Sequence, residues 1–223
     1  HRVEGASVHL RTTPLLTDSS GEKFGKSAGN AIWLSPEMTS PYAFYQYWVN
    51  AADDDAVRWV RTFTFRSREE IAALERATSE RPAAREIQRV LARDVTTLVH
   101  GEEATLAVEN ASQALFGRGE LADLDEATLS AALAELPQAT WTAGETSVVD
   151  ALVSSGLVKG RNEAKRAIGE GGAYVNNVKV TDGERVFDAS DALAGGHVVI
   201  RRGRRSLAAL TLTRCTVCPT APE

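Results

Sequence analysis

Apolar and aromatic side chains recur every three to four residues between about residues 40 and 136, which predicts a series of amphipathic helices. The first stripe contains Tyr42, Tyr45 and Trp48. Ser40-Pro41 stands just before it and combines an N-cap hydroxyl with proline at the first helical position. We expect these aromatic side chains to form helix-packing core rather than a ligand site, because large aromatic side chains are usually buried.

Polar residues mark the starts of further helices. Asp53-Asp54-Asp55 suits the positive end of a helix dipole, and Ser67-Arg68-Glu69-Glu70 is a capping box. Pro82 is predicted to open a long helix that carries Ile87, Leu91 and Val95 on one stripe. Gly101 ends or bends that helix. The remaining predicted helices are 104–116 and 126–136.

The pattern changes after residue 137 to shorter units. Residues 173–180 predict a hairpin, because Asn176-Asn177 tolerates the positive φ of a tight turn. The other expected elements are helices at 148–153 and 162–168 and strands at 197–200 and 206–212, with a β-favouring run at 8–16. The Pro- and Gly-containing stretch 137–145 is predicted to be a linker.

Charge divides the chain. The net charge is −5, but residues 1–142 carry 14 basic and 21 acidic side chains, whereas residues 143–223 carry 11 basic and 9 acidic. The locally basic end favours contact with an anionic partner. No apolar run is long enough for a membrane span and no signal pattern opens the chain, so we expect a cytoplasmic, non-membrane protein.

Lys23-Phe24-Gly25-Lys26-Ser27 is the first candidate for chemistry. Two lysines three positions apart, beside a glycine and a hydroxyl, suit the binding of a polyphosphate and of the charge that builds on a leaving pyrophosphate. The glycine spacing of a P-loop is absent, so a Walker-type nucleotidase is not indicated. From composition alone the pentapeptide is weak evidence, and a solvated surface loop is the favoured explanation.

The order of motifs along the chain adds a resemblance. The motifs are Lys23–Ser27, Ile32-Trp33-Leu34, Thr39-Ser40-Pro41-Tyr42, Phe44–Trp48, Phe63-Thr64-Phe65, Leu98–Ala104, Ala114–Gly117, Gly172–Asn176 and Ile200–Arg204. Together they cover about residues 8–210 and resemble the bacterial tyrosine–tRNA ligase family of class I aminoacyl-tRNA synthetases. The pentapeptide is similar to that family's form of the Lys-Met-Ser-Lys-Ser signature.

The resemblance implies a fold that is mainly α with a small α+β C-terminal domain. It implies five segments, which are the end of an α/β Rossmann-like catalytic domain (1–34), a helical anticodon-binding domain (35–136), the linker (137–145), a small ribosomal-protein-type RNA-binding domain (146–212) and a disordered tail (213–223). Because the nucleotide-binding domain of the family has no counterpart here, we interpret the chain as the C-terminal half of such a ligase, inactive alone. The competing hypothesis is a freestanding, non-enzymatic module that binds tRNA or another structured RNA.

For the catalytic step, the resemblance implies ATP as substrate, with Mg²⁺ accompanying it and no tightly bound cofactor. Lys23 and Lys26 are then the expected catalytic residues, with Lys26 the stronger candidate for ATP contact. Gly25 would give the loop its freedom and Ser27 a hydrogen bond to phosphate. The implied partners are tRNA(Tyr), tyrosine and ATP, in a parent enzyme that is a homodimer.

For RNA, the resemblance and the local charge indicate a cationic helix beside a hairpin, suited to phosphate and 2′-hydroxyl contacts. A solvated helix face is the alternative explanation. The candidate residues are Arg161, Lys165, Arg166, Asn176, Asn177, Lys179, Arg201 and Arg202. No metal site is expected, because Cys215 and Cys218 have no second ligand pair nearby.

Overall fold

The computed structural model of the chain describes residues 9–12, 15–17, 23, 32–116, 119–203 and 206–213. Within them the fold is mainly helical with one small mixed sheet. The helices are α1 (Pro41–Val49), α2 (Asp53–Phe63), α3 (Arg68–Glu80), α4 (Glu86–His100), α5 (Glu102–Leu115), α6 (Glu126–Ala134), α7 (Val148–Ser154) and α8 (Arg161–Gly169). The strands are β1 (Gln138–Trp141), β2 (Ala173–Val175), β3 (Val178–Lys179), β4 (His197–Arg202) and β5 (Ser206–Leu212).

Several helix starts follow the predicted capping chemistry. The Ser40 hydroxyl accepts a hydrogen bond from the N–H of Ala43 at 3.1 Å, with proline next in the chain. Ser67 and Glu70 cap each other's backbone N–H groups, so the predicted capping box is confirmed. Three aspartates occupy the first turn of α2, also as predicted.

Helix α4 begins four residues later than the sequence predicts. Pro82–Ala84 forms only a 3₁₀ turn. Arg85 then takes a left-handed conformation with φ of 48° and interrupts the helical path. The Arg85 guanidinium donates hydrogen bonds to the carbonyls of Val49 and Ala51, which holds this break against α1.

The helices α1 to α6 surround a first core. Phe44, Ile87 and Leu91 are fully buried there, and Trp48 packs edge-on against Trp59 with ring centroids 5.5 Å apart. The predicted core role of Tyr42, Tyr45 and Trp48 is confirmed, because each is about 95% or more buried.

The sheet has the strand order β1-β5-β4-β2-β3, in which β1 pairs parallel with β5 and the other neighbours are antiparallel. Consecutive residues of β4 and β5 are buried, which is the pattern of strands covered on both faces. One face holds Val198 and Ile200 in a second core with α7 and α8. The other face holds Val199 and Leu207 in the helical core.

The predicted linker at 137–145 is wrong for residues 138–141. They form β1, which pairs with Ala209–Leu212 of β5. The Gln138 amide also donates to the Leu133 carbonyl at the end of α6, so helix and sheet are joined directly. The division of the chain into the expected domains otherwise stays a prediction, and residues 214–223 lie outside the described residues.

Among the helices that the structure describes, none is both long and apolar enough to cross a membrane.

Candidate nucleic-acid interface

The lysine loop is described at one position only. Lys23 is exposed and forms an isolated antiparallel bridge with Thr17. Gly25, Lys26 and Ser27 lie outside the described residues, so their expected role at ATP stays a prediction.

Helix α8 presents the predicted cations to solvent. Ala164 and Ile168 bury its inner face against the second core. Because a helix turns 100° per residue, Arg166 lies on the side away from that face and Lys165 lies on its flank, whereas Arg161 stands in the first turn near the buried side. All three side chains are nevertheless exposed, so the helix offers three cations to solvent.

Each of these cations has an acidic neighbour at the surface. The ion pairs are Arg161 with Asp150, Lys165 Nζ with Glu184 Oε1 at 2.8 Å, and Arg166 Nε with Glu170 Oε1 at 3.9 Å. Both members of every pair are more than 40% exposed. Exposed pairs of this kind contribute about 0–1 kcal/mol, so exchanging the carboxylate for a phosphate costs little.

Arg202 lies on the same side of the sheet but is held more firmly. Its Nη2 lies 2.8 Å from Glu163 Oε1 of α8, and its Nη1 donates to the Leu157 carbonyl at 3.0 Å. The hydrogen bond from the backbone N–H of Lys159, together with the Arg202 charge, lowers the pKa of Glu163. Arg202 therefore fastens β4 to the start of α8.

Arg201 and Lys179 lie on the opposite side of the sheet from Arg202. Ala173 and Val175 point into the second core, so Tyr174 between them points the other way, with Arg201 and Lys179 as its cross-strand neighbours. The Arg201 guanidinium stands 4.2 Å from the centre of the Tyr174 ring. This distance is within the range of a cation–π contact.

The two asparagines form the predicted tight turn, with φ of 46° at Asn176 and 66° at Asn177. Their side chains are engaged inside the protein. The Asn176 Nδ2 donates a hydrogen bond to the Asp191 carbonyl, and the Asn176 Oδ1 accepts one from the Val199 N–H. The Asn177 amide donates to the Ala114 carbonyl of α5 at 2.6 Å. Both side chains therefore hold the turn in place, and their expected contact with RNA stays a prediction.

Two family models match the chain. The one described as tRNA synthetases class I (W and Y) matches residues 2–117, and the one described as the tyrosine–tRNA ligase SYY-like C-terminal domain matches residues 128–210. The chain belongs to the class I tRNA synthetase family.

Relatives narrow this to the tyrosine–tRNA ligase branch. The tyrosine–tRNA ligase of Streptomyces griseus is 57% identical over 211 residues, which are 94% of this chain and 50% of that protein. That of Nocardia farcinica is 56% identical over 213 residues, covering 93% of this chain and 50% of that protein. A solution structure of a tyrosyl-tRNA synthetase C-terminal domain is 27% identical, with a TM-score of 0.36, over 43% of this chain and 96% of that one. The chain spans about half the length of the curated relatives it matches.

The predicted RNA residues of this chain therefore divide between two surfaces. Arg161, Lys165 and Arg166 are exposed on α8, to which Arg202 is tied through Glu163, whereas Arg201 and Lys179 lie across the sheet. Local charge counting along the sequence could not separate the two sets, because β4 carries Arg201 and Arg202 in succession and they point to opposite faces.

The helical part of the chain holds a cavity of about 490 Å³ that residue-by-residue reasoning on the sequence missed. It lies between the segment that joins α2 to α3 and the facing ends of α4 and α5, and Phe65 and Arg66 line it. The Arg66 guanidinium forms a two-bond fork with Asp94, from Nε to Oδ2 at 2.5 Å and from Nη2 to Oδ1 at 2.9 Å. These bonds raise the pKa of Arg66 above its ordinary value, so the guanidinium stays charged. The sequence feature that could have indicated this cavity is Phe65, an aromatic residue outside every predicted helical stripe.

Among the described residues, no group of three or more His, Cys, Asp or Glu side chains is arranged to hold a metal ion. Cys215 and Cys218 lie outside them.

Proposed function

We propose that this chain is the C-terminal, tRNA-binding half of a tyrosine–tRNA ligase. The enzyme activates tyrosine with ATP and then transfers the tyrosyl group to the terminal ribose of tRNA(Tyr). This half contributes the lysine loop and two tRNA-binding regions, one helical and one built on the small sheet. Both matching family models are models of tRNA synthetases, which supports the ligase over a freestanding RNA-binding module.

One observation carries the proposal. Within the segment that matches the ligase C-terminal domain, α8 directs three cations to solvent on a helix whose other face is fixed in the core. Their ion pairs are exposed and weak, so RNA phosphates displace the carboxylates at little cost. A bound RNA backbone also releases counterions, which adds to the affinity at low salt.

At the ATP site, Lys26 contacts the phosphates and Lys23 assists it, while Gly25 lets the loop close and Ser27 donates a hydrogen bond. Mg²⁺ accompanying ATP would supply positive charge beside the leaving pyrophosphate, in addition to the two lysines. Lys23 is exposed beside Thr17, so its ammonium is accessible to such a ligand.

The proposal extends to the organisation of the protein. Residues 1–34 close the catalytic domain, 35–136 form the anticodon-binding region and 146–212 grip the body of the tRNA, with β1 connecting the last two. The full enzyme is a cytoplasmic homodimer.

The test measures binding of tRNA(Tyr) to this chain over a range of salt concentrations. Replacing Lys165 and Arg166 together by alanine removes two phosphate contacts, so the slope of log Kd against log salt falls by about 2 and binding weakens most at low salt. The matched control is Arg76→Ala with Arg81→Ala, which removes the same charge from exposed positions at the end of α3. If the α8 double variant binds like the control, α8 is a solvated face and the proposal fails.

A further inference from the structure

Phe65 is held out in solvent although burying a phenyl ring is worth about 1.5–3 kcal/mol. Its side chain is 93% exposed. It stands on the extended segment between α2 and α3, at the rim of the cavity described above. The ring stays exposed although hydrogen bonds hold the residues on both sides of it, Thr64 and Arg66.

On one side, the Thr64 hydroxyl donates to the Val60 carbonyl at 2.7 Å and ties the segment to the last turn of α2. On the other side, the Arg66 fork to Asp94 ties it to α4. Ser67 then begins the capping box of α3. The segment is therefore held on both sides of Phe65, and the ring stands in solvent at the rim of the cavity.

The lining of the cavity beside Phe65 contains both apolar and polar side chains. Leu98 and Leu106 contribute exposed aliphatic surface, at 62% and 43% exposure. The polar groups are the Arg66–Asp94 pair and the hydroxyl of Thr97, which donates to Thr105 at 3.1 Å. An occupant with flat apolar faces and a hydrogen-bonding edge matches this arrangement.

The charge of the residues that line the cavity favours a nucleobase over a phosphate as the occupant. The cations that line the cavity are Arg66 and Arg93, against the three carboxylates of Glu70, Asp94 and Glu102. The local balance is slightly acidic, which disfavours a phosphate group in the cavity and suits the amino edge of a base. An apolar protein side chain fits less well, because it would cover the Arg66–Asp94 pair without hydrogen bonding to it.

We propose that this cavity receives an unstacked base from a single-stranded stretch of the tRNA, with the base lying against the Phe65 ring. Stacking of an unpaired base on an exposed aromatic side chain is the common mode of single-stranded RNA recognition. The volume of about 490 Å³ is within the range of small-ligand pockets and admits a base with its ribose. The inference rests on the proposed function, since it supposes that this chain binds tRNA.

The test uses Phe65→Ala in the full chain, with tRNA(Tyr) as the ligand. Because stacking on an aromatic ring is worth about 1–3 kcal/mol per base, Kd rises about 5- to 150-fold. Phe65→Tyr keeps the ring and restores affinity to within about threefold. The control is Phe116→Ala, which removes an equally large, half-exposed ring at the end of α5 and leaves Kd unchanged. Phe65 is so exposed that the unfolding midpoint of each Phe65 variant stays at the wild-type value.

Chemical probing of the tRNA gives a second measurement. At saturating protein, one or more unpaired bases protected by the wild-type chain become reactive in the Phe65→Ala complex, while protection by the α8 surface is unchanged. An unchanged Kd and an unchanged protection pattern for Phe65→Ala overturn the inference and leave the proposed function intact. Free nucleoside monophosphates that displace the tRNA at micromolar concentration would assign the cavity to a small ligand instead and also overturn it. A wild-type chain that does not bind tRNA overturns both.

Discussion

Asn177 connects the sheet to the helical part of the chain, and its replacement tests that connection. Its amide donates to the carbonyl of Ala114 at 2.6 Å, in the last turn of α5, where helix carbonyls lack a partner within the helix. The residue also occupies a left-handed conformation with φ of 66°. Two effects therefore act at one position, and two variants separate them.

Asn177→Gly removes the hydrogen bond and tolerates the backbone conformation. A net hydrogen bond contributes about 0.5–1.5 kcal/mol, and the greater freedom of glycine in the unfolded chain adds about 0.5 kcal/mol. We expect the glycine variant to lose about 1–2 kcal/mol of unfolding free energy. Asn177→Ala loses the same bond and keeps a Cβ in the left-handed region without the polar side chain that lets asparagine adopt it, which costs about 1–2 kcal/mol relative to glycine. The alanine variant is therefore the less stable of the two by about 1 kcal/mol.

Urea unfolding followed by circular dichroism measures both differences, with equal m-values required for the comparison. Asn162→Ala is the control, because Asn162 is an exposed asparagine on α8 and its replacement changes stability by less than about 0.5 kcal/mol. If the glycine variant is as stable as wild type, the bond to Ala114 contributes nothing. If glycine and alanine are equally destabilising, the backbone argument is refuted.

Two further predictions concern titration and catalysis. Burial lowers the pKa of His100, whose ring packs edge-on against Phe44 with centroids 4.8 Å apart, so the folded chain favours the neutral ring. As the pH falls below about 6.5, His100 is protonated in the unfolded chain before it is protonated in the folded chain, so the unfolding free energy drops between pH 7.5 and 5.5. The drop is smaller in His100→Phe, and equal drops in the two proteins would contradict this. Lys26→Ala, made in a ligase that joins this chain to the catalytic portion of its relatives, slows tyrosyl-adenylate formation in a pyrophosphate-exchange assay and leaves tRNA affinity nearly unchanged. An unaltered exchange rate would remove Lys26 from the ATP site.

Much of the fold was predictable because its signals are local. Ser40-Pro41 and the Ser67–Glu70 box define helix starts through atoms three residues apart, and the paired asparagines define their own turn. Strand β1 was not predictable in this way. Its four residues pair with β5, about 70 positions later, and nothing within the segment 138–141 announces that partner.

The candidate site likewise combines features that are local in the sequence with contacts between distant segments. The cations of α8 are close together in the sequence, but the carboxylates that pair with Arg161 and Lys165 come from α7 and from the loop after β3. The role proposed for Phe65 depends on Asp94 of α4, which holds the neighbouring Arg66 through two hydrogen bonds. Contacts between distant segments, rather than residue types, decided which side chains are accessible.

The proposed function requires that this chain recognises tRNA(Tyr). Its most direct test is the ratio of Kd values for tRNA(Tyr) and for a tRNA with a different anticodon, measured with the 223-residue chain at one fixed salt concentration. One base-specific contact is worth about tenfold, so the account predicts at least that preference for tRNA(Tyr). Equal affinity for the two tRNAs would contradict it.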